Sequence, residues 1–300
     1  MLSRRQKHIL LKFFSLFSVV RGYNILVVVI AQYLASIYIF AHHIPVREVL
    51  LDVNLLMLVL ASSATIAGGY IINNFYDSEK DLINKPRKTM LDRLVSQNTK
   101  LSFYFVLNFL AVVFASYVSF KAVIFFASYI FAIWFYSHRL KKQPIIGNIV
   151  SAILTVTPFF AIFIYYHNFE RVVFAHAIFL FLLISMRELT KDLANIKGDL
   201  ALNYRTVPVV YGEKVSKLML SIVAVLTIIS AIILILFFEI GHMYYFFYLS
   251  IVLILLYLVI LLKSSNKNHY LLLHNILKFI IVAGVFSILL IDVSIVLNRI

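Results

Sequence analysis

The chain has 300 residues, of which 63% are hydrophobic and only 13% charged, with a mean hydropathy of +0.97. Soluble domains are about 45–50% apolar and about 25% charged, so the composition excludes an ordinary soluble globule and predicts an integral membrane protein. The absence of cysteine excludes disulfides, and the net charge of +14 admits either a nucleic-acid partner or a membrane topology.

Taken in order, the opening Met1–Lys12 is basic and amphipathic, and no small-residue cleavage site follows it, unlike a cleavable signal peptide. A bilayer core of about 30 Å takes about 20 apolar residues per helix. Such runs fall at about nine places: 20–41, 53–76, 101–119, 121–137, 145–166, 171–187, 215–238, 244–262 and 275–298. They are continuous rather than alternating, which argues against a barrel. The expectation is an all-α integral membrane protein forming a single domain over 1–300. With the N-terminus in the cytoplasm, every Lys and Arg except Arg47, Lys121, Arg171 and Arg299 falls on the cytoplasmic side. That is the positive-inside pattern. The basic excess is therefore topogenic, with some attraction to anionic headgroups, and nucleic acid is excluded as a partner. The predicted location is the cytoplasmic (inner) membrane, multi-pass.

The acids are gathered rather than scattered. Of the 13 in the chain, Asp77, Glu79, Asp81 and Asp92 follow the second run, and Glu188, Asp192 and Asp199 follow the sixth. Both stretches emerge on the predicted cytoplasmic face, where they can share one cavity. Residues three or four apart share a helix face, so Asn73, Asp77 and Asp81 form one stripe. Glu188, Asp192, Asn195 and Asp199 form another. Like charges at this spacing repel, and a carboxylate near the bilayer centre costs about 2.5–3.5 kcal/mol. Two such stripes therefore call for a cation. Hard oxygen donors select magnesium, which keeps several waters and is completed by substrate phosphates. Among the cations beside the acids, Arg139, Lys141, Arg187 and Lys191 suit a diphosphate, whose charge exceeds what one magnesium cancels. Glu79, Asp92 and Glu213 read as ordinary polar loop residues. The histidines, His274 among them, read as interfacial residues at span ends.

These stretches resemble the two signatures of the UbiA superfamily of intramembrane prenyltransferases. Asn73, Asn74, Asp77 and Asp81 match Asn-Asp-x-x-Asp-x-x-x-Asp, with Asn74 in place of the first acid. Asp192, Asn195 and Asp199 match Asp-x-x-Asp-x-x-x-Asp, with Asn195 at the middle acid. Three further segments agree in order: Arg21-Gly22-Tyr23-Asn24, Tyr136-Ser137-His138-Arg139-Leu140-Lys141, and Arg205-Thr206-Val207-Pro208 with Gly212. Lys88-Thr89 departs from the family's Arg-Pro. The resemblance implies nine helices around a central cavity, with magnesium on Asp77, Asp81, Asp192 and Asp199 gripping the diphosphate of an isoprenoid donor. Tyr136 would steady the allylic cation through its ring face. Asn24, Asn73, Arg139, Lys141, Arg187, Lys191 and Asn195 would bind substrate. The run Arg187–Asp192 and the segment Asn84-Lys85-Pro86 look closest to members that make geranylgeranylglyceryl phosphate ethers. An aromatic or quinone precursor is the alternative acceptor. An ion-coupled transporter remains as a third reading, but transporters hold such carboxylates near the midplane; a non-catalytic lipid-binding scaffold is a fourth.

Overall fold

The computed structural model describes residues 4–293, and every regular element among them is helical. In chain order the α-helices are α1 (Arg4–Val20), α2 (Gly22–Ala35), α3 (Val46–Leu51), α4 (Val53–Asn84), α5 (Pro86–Asp92) and α6 (Gln97–Val118). There follow α7 (Phe120–His138), α8 (Ile146–Tyr166), α9 (Arg171–Ala201), α10 (Val207–Phe237), α11 (Tyr244–Lys263) and α12 (Lys267–Ser287). Among the described residues, nine segments are long and apolar enough to cross a bilayer, matching the expected number. Large side chains such as Phe105, Phe109, Leu236 and Phe237 are exposed along them. In water that would be a liability; against lipid it is the required surface.

Four boundaries differ from the hydropathy reading, because a helix ends where its backbone is interrupted and not where its side chains become polar. The second span runs on to Asn84 and the sixth to Ala201, while the seventh begins at Val207 and the ninth at Lys267. α4 stops at Lys85, whose successor Pro86 disfavours the α conformation before it and then opens α5. α9 gives way at Leu202 and Asn203, the latter left-handed at φ 55°. The end of the expected ninth span, 294–298, and Arg299 lie outside the described residues.

α4 and α9, with 32 and 31 residues, are about 48 and 46 Å long at 1.5 Å per residue. Each exceeds a hydrocarbon core of about 30 Å. Asp77 lies about 36 Å from the start of α4, and Asp192 about 32 Å from the start of α9, so each acidic stretch begins where its own helix has used up a bilayer's thickness.

The chain forms two compact units, one from residues 1–29 and 56–140, the other from 30–55 and 141–300. In the first, Val19, Ile71, Ile72 and Tyr104 make a core completed by Tyr76, Leu107, Ile133 and Trp134. Gly69 lets α4 close on α7, since a Cβ there would stand 3.0 Å from Ile133. In the second, Ala152, Val156 and Ile184 join α8 to α9, with Ile281 of α12 against them. Small residues at such crossings suit helices whose association in lipid rests on close packing. Two polar bonds reinforce this unit: Gln32 Nε2 donates to the Pro158 carbonyl at 3.2 Å, and the Thr190 and Tyr257 hydroxyls share a bond of 2.7 Å.

α10 contains one break. Gly212 has φ 80° and ψ 171°, a region open essentially to glycine alone. Nothing lies within 4 Å of where its Cβ would be, so the demand is conformational and not steric. Gly212→Ala is expected to lower stability by about 1–3 kcal/mol, read as an earlier unfolding transition in detergent. An unchanged transition would show that the break carries no strain.

Candidate active site

In the first unit, the acidic stretch continues α4 without interruption, so Tyr70, Asn73, Asp77 and Asp81 follow one another along a face. Asp77 is buried, with Lys80 Nζ 3.5 Å from its carboxylate, whereas Asn73 and Asp81 are half-buried. The junction between α1 and α2 comes to the same face. Arg21, at φ 51°, breaks the helix there and its guanidinium sits 4.9 Å from the Tyr70 ring centre, while Asn24 Nδ2 donates to the Tyr70 hydroxyl at 3.1 Å. Asn24, predicted as a substrate ligand, is thus tied through Tyr70 to the helix face that bears Asp77. Lys88, on α5, lies in the field of Arg21, Asp81 and Asp92. Burial and the Arg21 charge hold its ammonium below the ordinary lysine value, against the pull of the two acids. Tyr136 is half-buried on α7, and Arg139 is exposed at that helix's end.

Asp92 is not the ordinary loop residue that its position after the second span suggested. It is 3% exposed, accepts from Ser18 Oγ at 3.0 Å and from Asn74 Nδ2 at 3.1 Å, and has Lys88 at 3.9 Å. Asn74 in turn accepts from Lys100 Nζ at 3.0 Å, and Lys100 is 1% exposed. The Asn that departs from the family's first acid therefore bridges a buried cation and a buried anion. Its amide both donates and accepts; a carboxylate there would face Asp92 with no proton to give. Glu79 is exposed, and Glu213 meets Lys217 at 2.8 Å and the Tyr270 hydroxyl at 2.6 Å.

In the second unit, Asp192 accepts from Asn148 Nδ2 of α8 at 2.7 Å. Asn195 is buried one turn on. Asp199 is fully buried; its carboxylate accepts from the Thr206 hydroxyl at 3.1 Å and its backbone carbonyl from the Tyr204 N–H at 2.8 Å. The turn after α9 is tied to the 140–142 turn, since the Arg205 N–H donates to the Lys142 carbonyl at 3.0 Å. Lys141 is buried there, its Nζ 6.0 Å from the Tyr204 ring centre, with Lys142 at 5.1 Å. Arg187 and Lys191 both pair with buried Glu188, the former at 2.8 Å. Sequence reasoning missed Lys100 and the central place of Glu188, and gave no role to Asn148, which follows the segment matched at Tyr136–Lys141. Glu188 carried a signal in its step of four before Asp192, and Asn148 in its place beside Gly147 after the matched segment; Lys100 carried none. His274, read as interfacial, lies about two turns inside α12, because that helix begins earlier than hydropathy indicated.

The donors along both stretches are carboxylate and amide oxygens, the set that suits magnesium and not zinc or copper. Among the described residues no three His, Asp or Glu side chains come together closely enough to hold a metal ion by themselves.

The chain matches the UbiA prenyltransferase family model over residues 29–277. It is 30% identical over 217 residues to the digeranylgeranylglyceryl phosphate synthase of Thermococcus sibiricus, covering 72% of this chain and 75% of that one. To the protein of the same name from Methanobrevibacter smithii it is 28% identical over 209 residues, covering 66% and 69%. Among solved structures, one described as digeranylgeranylglyceryl phosphate synthase in membranes superposes with a TM-score of 0.68 at 22% identity, over 92% of this chain and 97% of that chain. A UbiA homologue from Archaeoglobus fulgidus, bound to GPP and Mg2+, gives 0.66 at 16% identity, over 91% and 99%. At these identities the structures establish the fold.

Proposed function

The chain belongs to the UbiA prenyltransferase family, and on that premise we propose that it transfers a geranylgeranyl group from its diphosphate to the hydroxyl of geranylgeranylglyceryl phosphate, with magnesium. The likeness to relatives named digeranylgeranylglyceryl phosphate synthase carries this reading of the acceptor. The donor and the metal are supported by the A. fulgidus homologue bound to GPP and Mg2+ and by the oxygen-only donor set of both acidic stretches. The family match runs through segments of both compact units, which supports reading the chain as one UbiA-like domain, and the distribution of Lys and Arg supports an active site toward the cytoplasmic face.

In the reaction the allylic C–O bond breaks and its electron pair leaves with the diphosphate. The acceptor oxygen bonds to the allylic carbon and loses its proton. Magnesium, when bound, supplies charge neutralisation for the diphosphate. Asp77, Asp81, Asp192 and Asp199 are the residues we assign to hold it, and Asn148 orients Asp192 through its amide. Asn24, Asn73 and Asn195 offer neutral polar contacts, while Lys141 and Arg139 offer positive charge to the departing anion. Tyr136 presents a ring face to the allylic cation, and the apolar helices keep out the water that would otherwise capture it.

Purified protein given labelled geranylgeranyl diphosphate is expected to release diphosphate only with magnesium and geranylgeranylglyceryl phosphate together, and chelation with EDTA is expected to stop it. Release with a hydroxybenzoate- or dihydroxynaphthoate-type acceptor instead would move the acceptor assignment. Absence of magnesium-dependent binding of any prenyl diphosphate would remove the enzymatic reading.

A further inference from the structure

In the first unit, α1 is helical but is not one of the nine spans found among the described residues. Its sequence carries Arg4, Arg5, Lys7 and Lys12 and no acid. Its axis does not continue into α2. Arg21, at φ 51°, breaks the helix, and the Phe17 ring comes within 2.0 Å of where a Cβ on Gly22 would stand. On one continuous helix, residues five apart are separated by about 7.5 Å of rise, so this contact requires the chain to turn.

One side of α1 is held to the protein. Ser15 is buried and donates to the Leu91 carbonyl of α5 at 2.8 Å, and Ser18 donates to Asp92 at 3.0 Å. Val19 is buried in one cluster with Ile71 and Ile72 of α4. Ile72 is about 28 Å along α4, where that helix has crossed a hydrocarbon core of about 30 Å. α1 therefore ends at the membrane boundary, at the end of α4 that carries Asp77 and Asp81.

The outer surface here combines two chemistries. Leu11, Phe14 and Phe17, at steps of three, share a face of α1 and are exposed, as are Met90 in α5 and Leu94 just after it. Lys12, Arg87 and Arg93, on the same two segments, are exposed as well. Positive-inside topology accounts for the cations. It does not account for the apolar side chains exposed beside them, nor for the bonds between α1 and α5. Basic residues together with Phe and Leu on a helix at the boundary are the composition that lies in the headgroup layer, rings in the acyl region and cations on anionic lipid.

We propose that α1 and α5 form an interfacial platform that binds anionic lipid headgroups and, through Ser15 and Ser18, holds α5 against the acidic end of α4. The occupant is a bilayer lipid, because exposed rings and cations are presented together at the level where α4 leaves the membrane. The hold on α5 follows from the bonds. Asp92 accepts from Ser18 of α1 and, at 3.1 Å, from Asn74 of α4, and Asn74 precedes Asp77 by one turn. Lipid that fixes α1 restrains α5 through this chain. None of it depends on the reaction or the acceptor, and turnover is not a readout of the test.

The experiment places the full chain in nanodiscs of phosphatidylcholine, with and without phosphatidylglycerol. Spin-labelled forms of the two lipids report which is held at the protein surface. The unsubstituted protein is expected to prefer phosphatidylglycerol, and the preference to fall as salt is raised. Lys12→Gln, Arg87→Gln and Arg93→Gln combined are expected to lower it at least about fivefold, the equivalent of about one charge near an anionic surface. Lys12→Arg, Arg87→Lys and Arg93→Lys combined are expected to keep it. Amide hydrogen exchange over 86–92 is expected to slow when phosphatidylglycerol is present. Ser15→Ala with Ser18→Ala is expected to abolish that slowing and leave the lipid preference intact. No preference for phosphatidylglycerol would overturn the proposal, as would a preference that the triple Gln variant keeps, which would place the lipid at other loops. Equal exchange over 86–92 in both bilayers would overturn the hold on α5. Displacement of the labelled lipid by soluble poly-glutamate would make the surface a docking face for an acidic protein, and would overturn the lipid assignment.

Discussion

Substituting Asp77 or Asp192 by alanine is expected to lower kcat/KM for diphosphate release by about 10^3-fold, on the scale of removing a principal electrostatic stabiliser of a leaving group. The two positions differ in surroundings. Asp77 is buried beside Lys80, so Asp77→Ala also leaves an ammonium without its neighbouring carboxylate and is expected to reduce stability. Asp192 is oriented by an amide, Asn148, and its loss strands no charge of opposite sign in direct contact. Asp192→Ala therefore tests the chemistry more cleanly. Steady-state kinetics with both substrates, alongside melting curves in detergent, separate the effects. Turnover within tenfold of the unsubstituted protein in both variants, with normal membrane insertion, would remove these aspartates from the mechanism.

Asp92→Ala is expected to have a large effect on folding of the first unit. Lys100 is 1% exposed and bonds to Asn74, which bonds to Asp92. Without Asp92 the lysine is a buried cation facing a neutral amide. Breaking a buried pair in this way costs about 3–5 kcal/mol. Lys88 stands 3.9 Å from Asp92, a longer and only half-buried contact, and contributes less by comparison. If the network is real, Asp92→Ala and Lys100→Met are non-additive: the double variant is more stable than the sum of the singles indicates, because neither charge is stranded. Strict additivity in SDS unfolding would show that the two groups do not communicate.

The departures from the family signature take on different meanings in this light. Asn74, which stands where the family signature has its first acid, has both ends of its amide committed to Lys100 and Asp92. Asn195 is buried on the face of α9 that carries Asp192 and Asp199, and keeps the place of an oxygen donor. The sequence position of Asp92, after a span and among basic residues, is one that topology alone accounts for. Its burial depends on α1 returning Ser18 to it, a contact between residues 74 positions apart that no local pattern encodes.

The sequence by itself determined the solvent, the number of crossings and the positions of both acidic rows, because each is a one-dimensional property. Hydropathy is summed along a run, charge bias is counted per loop, and a stripe follows from a spacing of three or four residues on any helix. It also carried the likeness to the family, since the signatures are contiguous. Helix ends were only partly legible: Pro86 and Gly212 could be seen, but a polar helix running on past the membrane looks like a loop to a hydropathy reading. Only the tertiary structure decided which charges are paired, that Glu188 binds both Arg187 and Lys191, and that Asn148 holds Asp192. Whether a charged side chain is a ligand or a scaffold depends on what opposes it across a helix interface, and that neighbour is distant in sequence.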